Sequence, residues 1–492
     1  MNSNRNKHLS LFRSLSLLLI LFLVPGPGLS KGRTRTSRQE PAPADIRTKI
    51  DSLIRLRHIG KNGLGIKVVS LQDGSTLYSL NNEKNFAPAS TMKILTMAVA
   101  LEKLGANYRW KTELWADGPI TEGTLNGNLY VKGYGSPYFL ESDMQALAQM
   151  ARNAGIGRIR GQLYFDDSYF DGVRNGPGVL PESTSYYDPI ISALSYSFNF
   201  LSVIVSPGSR LGSPVLVELS PTSSQIQVSN RARTAKARSM VSVAYRKSTD
   251  TLAISGNLSL SSPSVYRTYK VFSPENFFAC AFSDHLQKEG VKVSSQRPEA
   301  REVEPERSGF HRVAVHYSTP LMEVMRIIGK NSNNFIADQL FKTLGAEILG
   351  APGSFEKGAQ ALGRYLGELG FKPGTFQIKD GSGLSHENQL SADILMAVLQ
   401  RMYFSDQLRP IFVDSLAWAG MDGTLGERLT STETQGRIFA KTGTLSGVSC
   451  LSGYVAAPRR GDLAFSIFIN ETLGRIRAKR MEDAIVSVLA DE

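Results

Sequence analysis

Cysteine is nearly absent: Cys280 and Cys450 are the two in 492 residues. Two such distant cysteines do not make a disulfide scaffold. A single bridge or two buried thiols remain open, and buried thiols are the expectation. Histidine is also sparse, with six, and none falls into H-x-x-x-H or H-E-x-x-H spacing. That argues against a zinc enzyme, and no metal or other cofactor is expected. Basic residues outnumber acidic ones by 12, yet the body has no stretch in which Lys and Arg interleave with aromatics. No nucleic-acid partner is expected. Half of the excess sits in residues 1–40, where Arg5, Lys7, Arg13, Lys31, Arg33, Arg35 and Arg38 face Glu40 alone.

A long hydrophobic run is missing too. Leu15 to Val24 falls well short of the roughly 20 apolar residues of a membrane helix. Arg5, Lys7 and Arg13 precede it, and Pro25-Gly26-Pro27-Gly28 breaks it. Gly28-Leu29-Ser30 then offers small residues for cleavage. This pattern predicts a secretory signal over 1–30 and a periplasmic or other extracytoplasmic location. Peripheral contact with a membrane surface stays open. Residues 31–45 are basic and contain proline, which reads as a flexible leader.

What is present is a chain too long for one ordinary core. Helical spacing over Arg47–Leu56 leads into a hairpin, with Leu64–Ser70 and Ser75–Leu80 as its arms. From 108 to 270 short β-rich runs alternate with Gly, Pro, Asn and Asp, interrupted by one helix from Glu141 to Ala154. After Pro274 the pattern is helical: Glu275–Glu289, Pro320–Gly329, Phe335–Leu349, Phe355–Leu369 and Ala392–Phe404. The end reads as strands over Arg437–Lys441, Val448–Ala456 and Ala464–Ile469, then a helix over Arg475–Leu489. Strands at both chain ends imply one sheet completed by both. The body is then discontinuous, 46–107 with 271–492, and 108–270 is an inserted β-rich module of two small domains.

Three short stretches carry chemistry. Ser90-Thr91-Met92-Lys93 opens an apolar helix that runs to about Gly105. Residues three apart share a helical face, so Lys93 would stand beside Ser90. A lysine whose pKa is lowered by burial can take the proton of a serine nucleophile. Alone this is weak, since a chain of this length holds on the order of one or two S-x-x-K matches by chance. A second match is Ser354-Phe355-Glu356-Lys357, and the bland reading of either serine is a helix cap. Ser332-Asn333-Asn334 sits between two helices, where Ser332 could relay a proton and Asn334 hold an amide carbonyl. The bland reading is an N-cap at Ser332 or Asn333. Lys441-Thr442-Gly443 occurs once. On an edge strand Lys441 and Thr442 would bind a carboxylate, Gly443 would let substrate backbone approach, and the Thr444 N–H would face an oxyanion.

The order Ser90-x-x-Lys93, Ser332-x-Asn334, Lys441-Thr442-Gly443 is the motif triplet of penicillin-binding proteins and serine β-lactamases. The chain further resembles the D-alanyl-D-alanine carboxypeptidases/endopeptidases among the class C low-molecular-mass penicillin-binding proteins (peptidase family S13). The stretches that carry the resemblance are Pro88–Leu95, Gly127–Pro137, Asp166–Phe170, Ile191–Ser195, Lys330–Asp338, Asp380–Ser385 and Ala440–Val455. The wide separation of Ser90 from Ser332 fits this family, which inserts two small domains there. Asn331 departs from the pattern, since many relatives carry a second basic residue beside Lys330. The resemblance implies an α/β fold of the penicillin-binding/serine β-lactamase transpeptidase type, an antiparallel sheet flanked by helices with inserted β-rich domains. It implies peptidoglycan stem peptides as substrates and β-lactam antibiotics as covalent inhibitors. The catalytic set would be Ser90, Lys93, Ser332, Asn334 and Lys441, with Thr442, Gly443 and Thr444 binding substrate. It also implies that Asp380-Gly381-Ser382-Gly383 forms a loop near the cleft. A β-lactamase or esterase of the same superfamily, and a non-catalytic wall-binding protein, are the alternatives.

Overall fold

A computed structural model describes residues 45–492, apart from 58–59, 181–182, 184, 186, 237–238, 295–296, 304–308 and 472–473. The expected signal, and the leader up to Ala44, lie outside the described residues. A six-stranded antiparallel sheet runs in the order Ala417–Trp418, Ile438–Leu445, Val448–Ala457, Gly461–Asn470, Leu64–Ser70, Thr76–Leu80. Both ends of the chain build it. Its central strands are buried at nearly every position, as expected of a sheet covered on both faces.

Alternate residues face two cores. Leu451, Val455, Phe465 and Ile467 pack against the helices Ile46–Leu56 and Arg475–Ala490. Cys450, Tyr454 and Phe468 face a helical layer that includes Met92–Lys103 and Ala392–Tyr403. The Met92–Lys103 helix is buried from Met92 through Leu101. Being enclosed on all sides, it needs no polar face. Both thiols are free: Cys450 is buried in the sheet and Cys280 is half-buried.

The inserted module differs at its far end from the expected 108–270. Strand His311–Tyr317 pairs antiparallel with Lys111–Ala116, at the edge of a sheet that continues through Leu129–Gly133 and Leu163–Asp166. Helix Pro274–Lys288 also belongs to it. Phe277, Phe278 and Phe282 join Met144 and Leu147 of helix Glu141–Asn153 in one cluster. Periodicity finds the apolar face of a helix and says nothing of which core receives it. Strands Phe200–Ser206 and Thr251–Ser259 feed the same cluster through Val203, Val205, Leu252 and Ile254.

The closing helix is tied to the sheet by charge. Glu482, 1% exposed, accepts from Ser449 Oγ and from Arg428 Nη2 at 2.8 Å, and Arg428 also reaches Asp483 at 2.7 Å. Burial raises the Glu482 pKa, opposed by Arg428. Removing one partner of a buried pair strands the other. Arg428→Ala should therefore cost about 3–5 kcal/mol, read as a lower urea midpoint. An unchanged midpoint would show that Glu482 does not depend on this cation.

Candidate active site

Pro88 precedes a 3-10 turn, Ala89–Thr91, that runs straight into the Met92–Lys103 helix. Thr91 Oγ1 donates to the Pro88 carbonyl at 2.6 Å and secures the turn, and no side-chain cap bond forms at the helix start next to Ser90. Ser90 Oγ instead accepts from Lys93 Nζ at 2.9 Å. The same amine donates to Asn334 Oδ1 at 2.7 Å and to the Ser382 carbonyl at 2.5 Å. Lys93 is completely buried. Burial lowers its pKa to about 8, against the opposing pull of Asp338 and Asp380. A buried amine near neutrality can be a proton acceptor.

The second S-x-x-K match meets the bland fate. Ser354 Oγ caps its helix by accepting from the Lys357 N–H at 3.0 Å. Between the helices Leu321–Asn331 and Asn334–Leu349, the cap is Asn333, whose Oδ1 accepts from the Ile336 N–H at 2.9 Å. Ser332 takes a left-handed conformation, φ 57°, costly for a residue with a Cβ, and lines the cleft beside Ser90 and Asn334. Asn334 uses both ends of its amide. Its Oδ1 holds Lys93, and its Nδ2 donates to the Tyr187 carbonyl at 2.9 Å, in the inserted stretch. Lys330 pairs with Asp422 and lies over the Trp418 ring at 5.2 Å, while Asn331 lines the cleft.

Ile438–Leu445 carries Lys441, Thr442, Gly443 and Thr444. It is not the edge strand expected: Ala417–Trp418 lies outside it, pairing with Ala440 and Phe439 alone. From Lys441 onward its outer side has no strand partner. Successive strand residues face opposite ways, so Lys441 and Thr442 do not share a side. Thr442 and Thr444 line the cleft, with Thr442 Oγ1 bonded to Thr424 Oγ1 at 2.8 Å. Lys441 is buried, its Nζ donating to the Thr442 carbonyl at 2.9 Å. Burial and the neighbouring Lys93 hold its pKa well below the usual lysine value. Gly443 also has a reason other than the expected one. A Cβ there would meet the Pro88 carbonyl at 2.9 Å and the Ser90 N at 3.1 Å, so the glycine lets the strand press against the serine's turn.

Asp338 and the Asp380 loop carry more weight than sequence reasoning gave them. Asp380, buried, accepts from the N–H groups of Gly383 at 2.6 Å and Ser385 at 2.7 Å. Asp338 Oδ1 accepts from the Gly381 N–H at 3.1 Å, and Thr96 Oγ1 donates to the Gly381 carbonyl at 2.8 Å. These bonds aim the Ser382 carbonyl at Lys93. Burial, then the like charge of Asp380, raises the Asp338 pKa well above normal, with Lys93 opposing. The signal available was a pair of acids inside apolar surroundings, Ile336-Ala337-Asp338 and the Gly-rich Asp380 turn.

Ser90, Ser332, Asn334, Thr442 and Thr444 thus converge on one cleft of about 950 Å³. A serine beside a buried amine, facing hydroxyls and an amide, is equipped for acyl transfer. The family model of the D-Ala-D-Ala carboxypeptidase 3 (S13) family matches residues 46–492. The chain belongs to this family. It is 32% identical over 464 residues to the D-alanyl-D-alanine carboxypeptidase of Actinomadura sp. (strain R39), covering 91% of this chain and 85% of the relative. Its fold is that of penicillin binding protein 4 from Haemophilus influenzae, with TM-score 0.73, 24% identity and 90% and 98% of the two chains covered. The same protein complexed with a β-lactam matches with TM-score 0.69, 24% identity and coverage of 89% and 98%.

In this S13 chain Gly383 is the tightest point of the Asp380 loop. Its φ is +81°, and an added Cβ would lie 1.8 Å from the Ala89 carbonyl oxygen. The left-handed backbone alone costs an alanine about 1–3 kcal/mol, and the overlap adds to that. Gly383→Ala should lower the unfolding midpoint by at least that amount, whereas Gly374→Ala, equally left-handed but in open space, should lower it less. Equal losses at the two positions would show that the Ala89 contact is not limiting.

Proposed function

We propose that this cleft performs serine-type D-Ala-D-Ala carboxypeptidase chemistry, with DD-endopeptidase action on peptide cross-links, through an acyl-Ser90 intermediate. The observation that carries the reading is Lys93 Nζ, buried and 2.9 Å from Ser90 Oγ. Neutral Lys93 takes the Ser90 proton as Oγ attacks the carbonyl between two D-residues. The N–H groups of Ser90 and Thr444 receive the oxyanion. Ser332 relays the proton to the leaving amine, and Asn334, released from Lys93, positions the acyl donor. Thr442 and Thr444 receive the substrate carboxylate, with Gly443 between them. Lys441 behind the strand gains its proton and adds positive potential once that anion is bound. Water then cleaves the ester and regenerates Ser90.

On this reading the natural substrates are peptidoglycan stem peptides and the covalent inhibitors are β-lactams. A signal over 1–30 would deliver the chain to the periplasm or another extracytoplasmic space, with peripheral membrane association through its basic leader. Among the described residues no helix is long and apolar enough to cross a membrane. The catalytic body comprises 46–107 and 318–492, with the insertion at 108–317.

Intact mass after incubation with benzylpenicillin tests the nucleophile. Wild type should gain one penicilloyl group and Ser90→Ala none. Labelling that survives Ser90→Ala would move the nucleophile elsewhere. Rapid destruction of the antibiotic would instead favour a β-lactamase. Lys93 also sets a pH dependence. The amine accepts a proton only when neutral, so acylation should fall about tenfold per pH unit below the value of about 8. Above it the rate should level off. Acylation rates with a chromogenic cephalosporin from pH 6 to pH 10 check this, and a flat profile would remove Lys93 as the base.

A further inference from the structure

The cleft does not end at Thr444. It continues past the turn Leu445–Val448 to the first turns of the closing helix, where Arg475 and Lys479 line the same cavity as Ser90. At about 950 Å³ it reaches the top of the usual range for small-ligand pockets, more room than a single D-Ala-D-Ala terminus fills. Arg475 is exposed and Lys479 half-buried. Among the described residues neither makes an ion pair. The acids nearest Lys479, Glu482 and Asp483, are engaged by Arg428. Glu471 also lines this end, with its side chain packed over Gly60 and Gly63. Two cations without partners at the far end of a cleft invite an anion.

We propose that Arg475 and Lys479 form a subsite for the free carboxylates of the second stem peptide of a cross-linked substrate. The inference rests on the acyl-Ser90 reading. The reasoning is positional. Thr442 and Thr444 receive the carboxylate of the leaving D-residue. In a monomeric stem peptide that residue is the end of the molecule. In a cross-linked dimer it is part of a whole second peptide, whose remaining acidic groups extend beyond Thr444. Arg475 offers a planar fork of donors and Lys479 a compact ammonium, both suited to carboxylate. Burial, with Arg428 and Arg475 nearby, holds the Lys479 pKa below its ordinary value, and a bound anion would relieve that repulsion. These contacts lie away from the reacting atoms, so they act in binding rather than in the chemical step.

The test compares full-length protein with the Arg475→Ala/Lys479→Ala double variant on three probes. These are benzylpenicillin, a monomeric pentapeptide and a cross-linked peptide dimer. Acylation and pentapeptide hydrolysis should stay within about twofold of the parent, while KM for the dimer rises about tenfold with kcat little changed. Arg475→Lys/Lys479→Arg should restore the dimer KM. A dimer whose remaining free carboxylates on the second peptide are converted to carboxamides, with that of the leaving D-residue kept, should show the same loss with the unaltered protein. Equal effects on dimer and monomer, or none on either, would overturn the subsite, as would an unaltered protein that cleaves the monomer and never the dimer. A protein that is not acylated at all would overturn the Ser90 reading itself and this inference with it.

Discussion

A lysine amine sealed from solvent is the constraint on which the site depends. Lys93 sits in a helix buried from Met92 through Leu101, and an uncompensated ammonium there would be expensive. Three oxygens hold the amine: Ser90 Oγ, Asn334 Oδ1 and the Ser382 carbonyl. They come from three separate stretches of chain, so the position of the amine fixes the position of all three. Asp338 and Asp380 supply long-range negative potential without contacting it, which keeps the amine from losing its proton outright. The balance between burial and those two acids leaves a group that can move a proton near neutral pH.

That arrangement also accounts for the long insertion being more than a passenger. Asn334 is bonded at one end to Lys93 and at the other to the Tyr187 carbonyl. The insertion therefore touches the same side chain that holds the Lys93 amine. It is also tied to the helical layer, where Phe170, Ile191 and Ala193 join the core and Lys342 pairs with Asp171. A stretch anchored beside the cleft in this way can set the approach of a peptide.

Much of this was legible in the sequence because the relevant signals are local. The helices Phe355–Glu368 and Ala392–Tyr403 and the strands after residue 437 announce themselves by period and by punctuation. The triplet around Ser90, Ser332 and Lys441 was readable because each motif is short and their order is fixed. What was not legible depends on partners far away in the chain. Helix Pro274–Lys288 looks like any amphipathic helix, and only the contacts of its phenylalanines assign it to the insertion. Strand His311–Tyr317 is recognised as the insertion's last by its register against Lys111–Ala116. Asp338 carried no motif of its own. Its meaning comes from being sealed beside Asp380 and Lys93.

The two S-x-x-K stretches show what separates a motif from a site. Both serines stand at the start of a helix, and both lysines lie one turn on. At Ser354 the backbone N–H groups of the first turn lack partners, so the hydroxyl is drawn to Lys357 N. The Lys357 ammonium goes to the Gly350 carbonyl at 2.6 Å, on an exposed surface. At Ser90 the 3-10 turn has already been secured by Thr91, and Gly443 lets a strand close over the outside. The Ser90 hydroxyl accepts from a lysine amine that is sealed from solvent. The two stretches share a serine at the helix start and a lysine three residues on. What differs is that packing buries Lys93 against Ser90 while Lys357 stays at the surface, and that difference makes one serine a cap and leaves the other facing a buried amine.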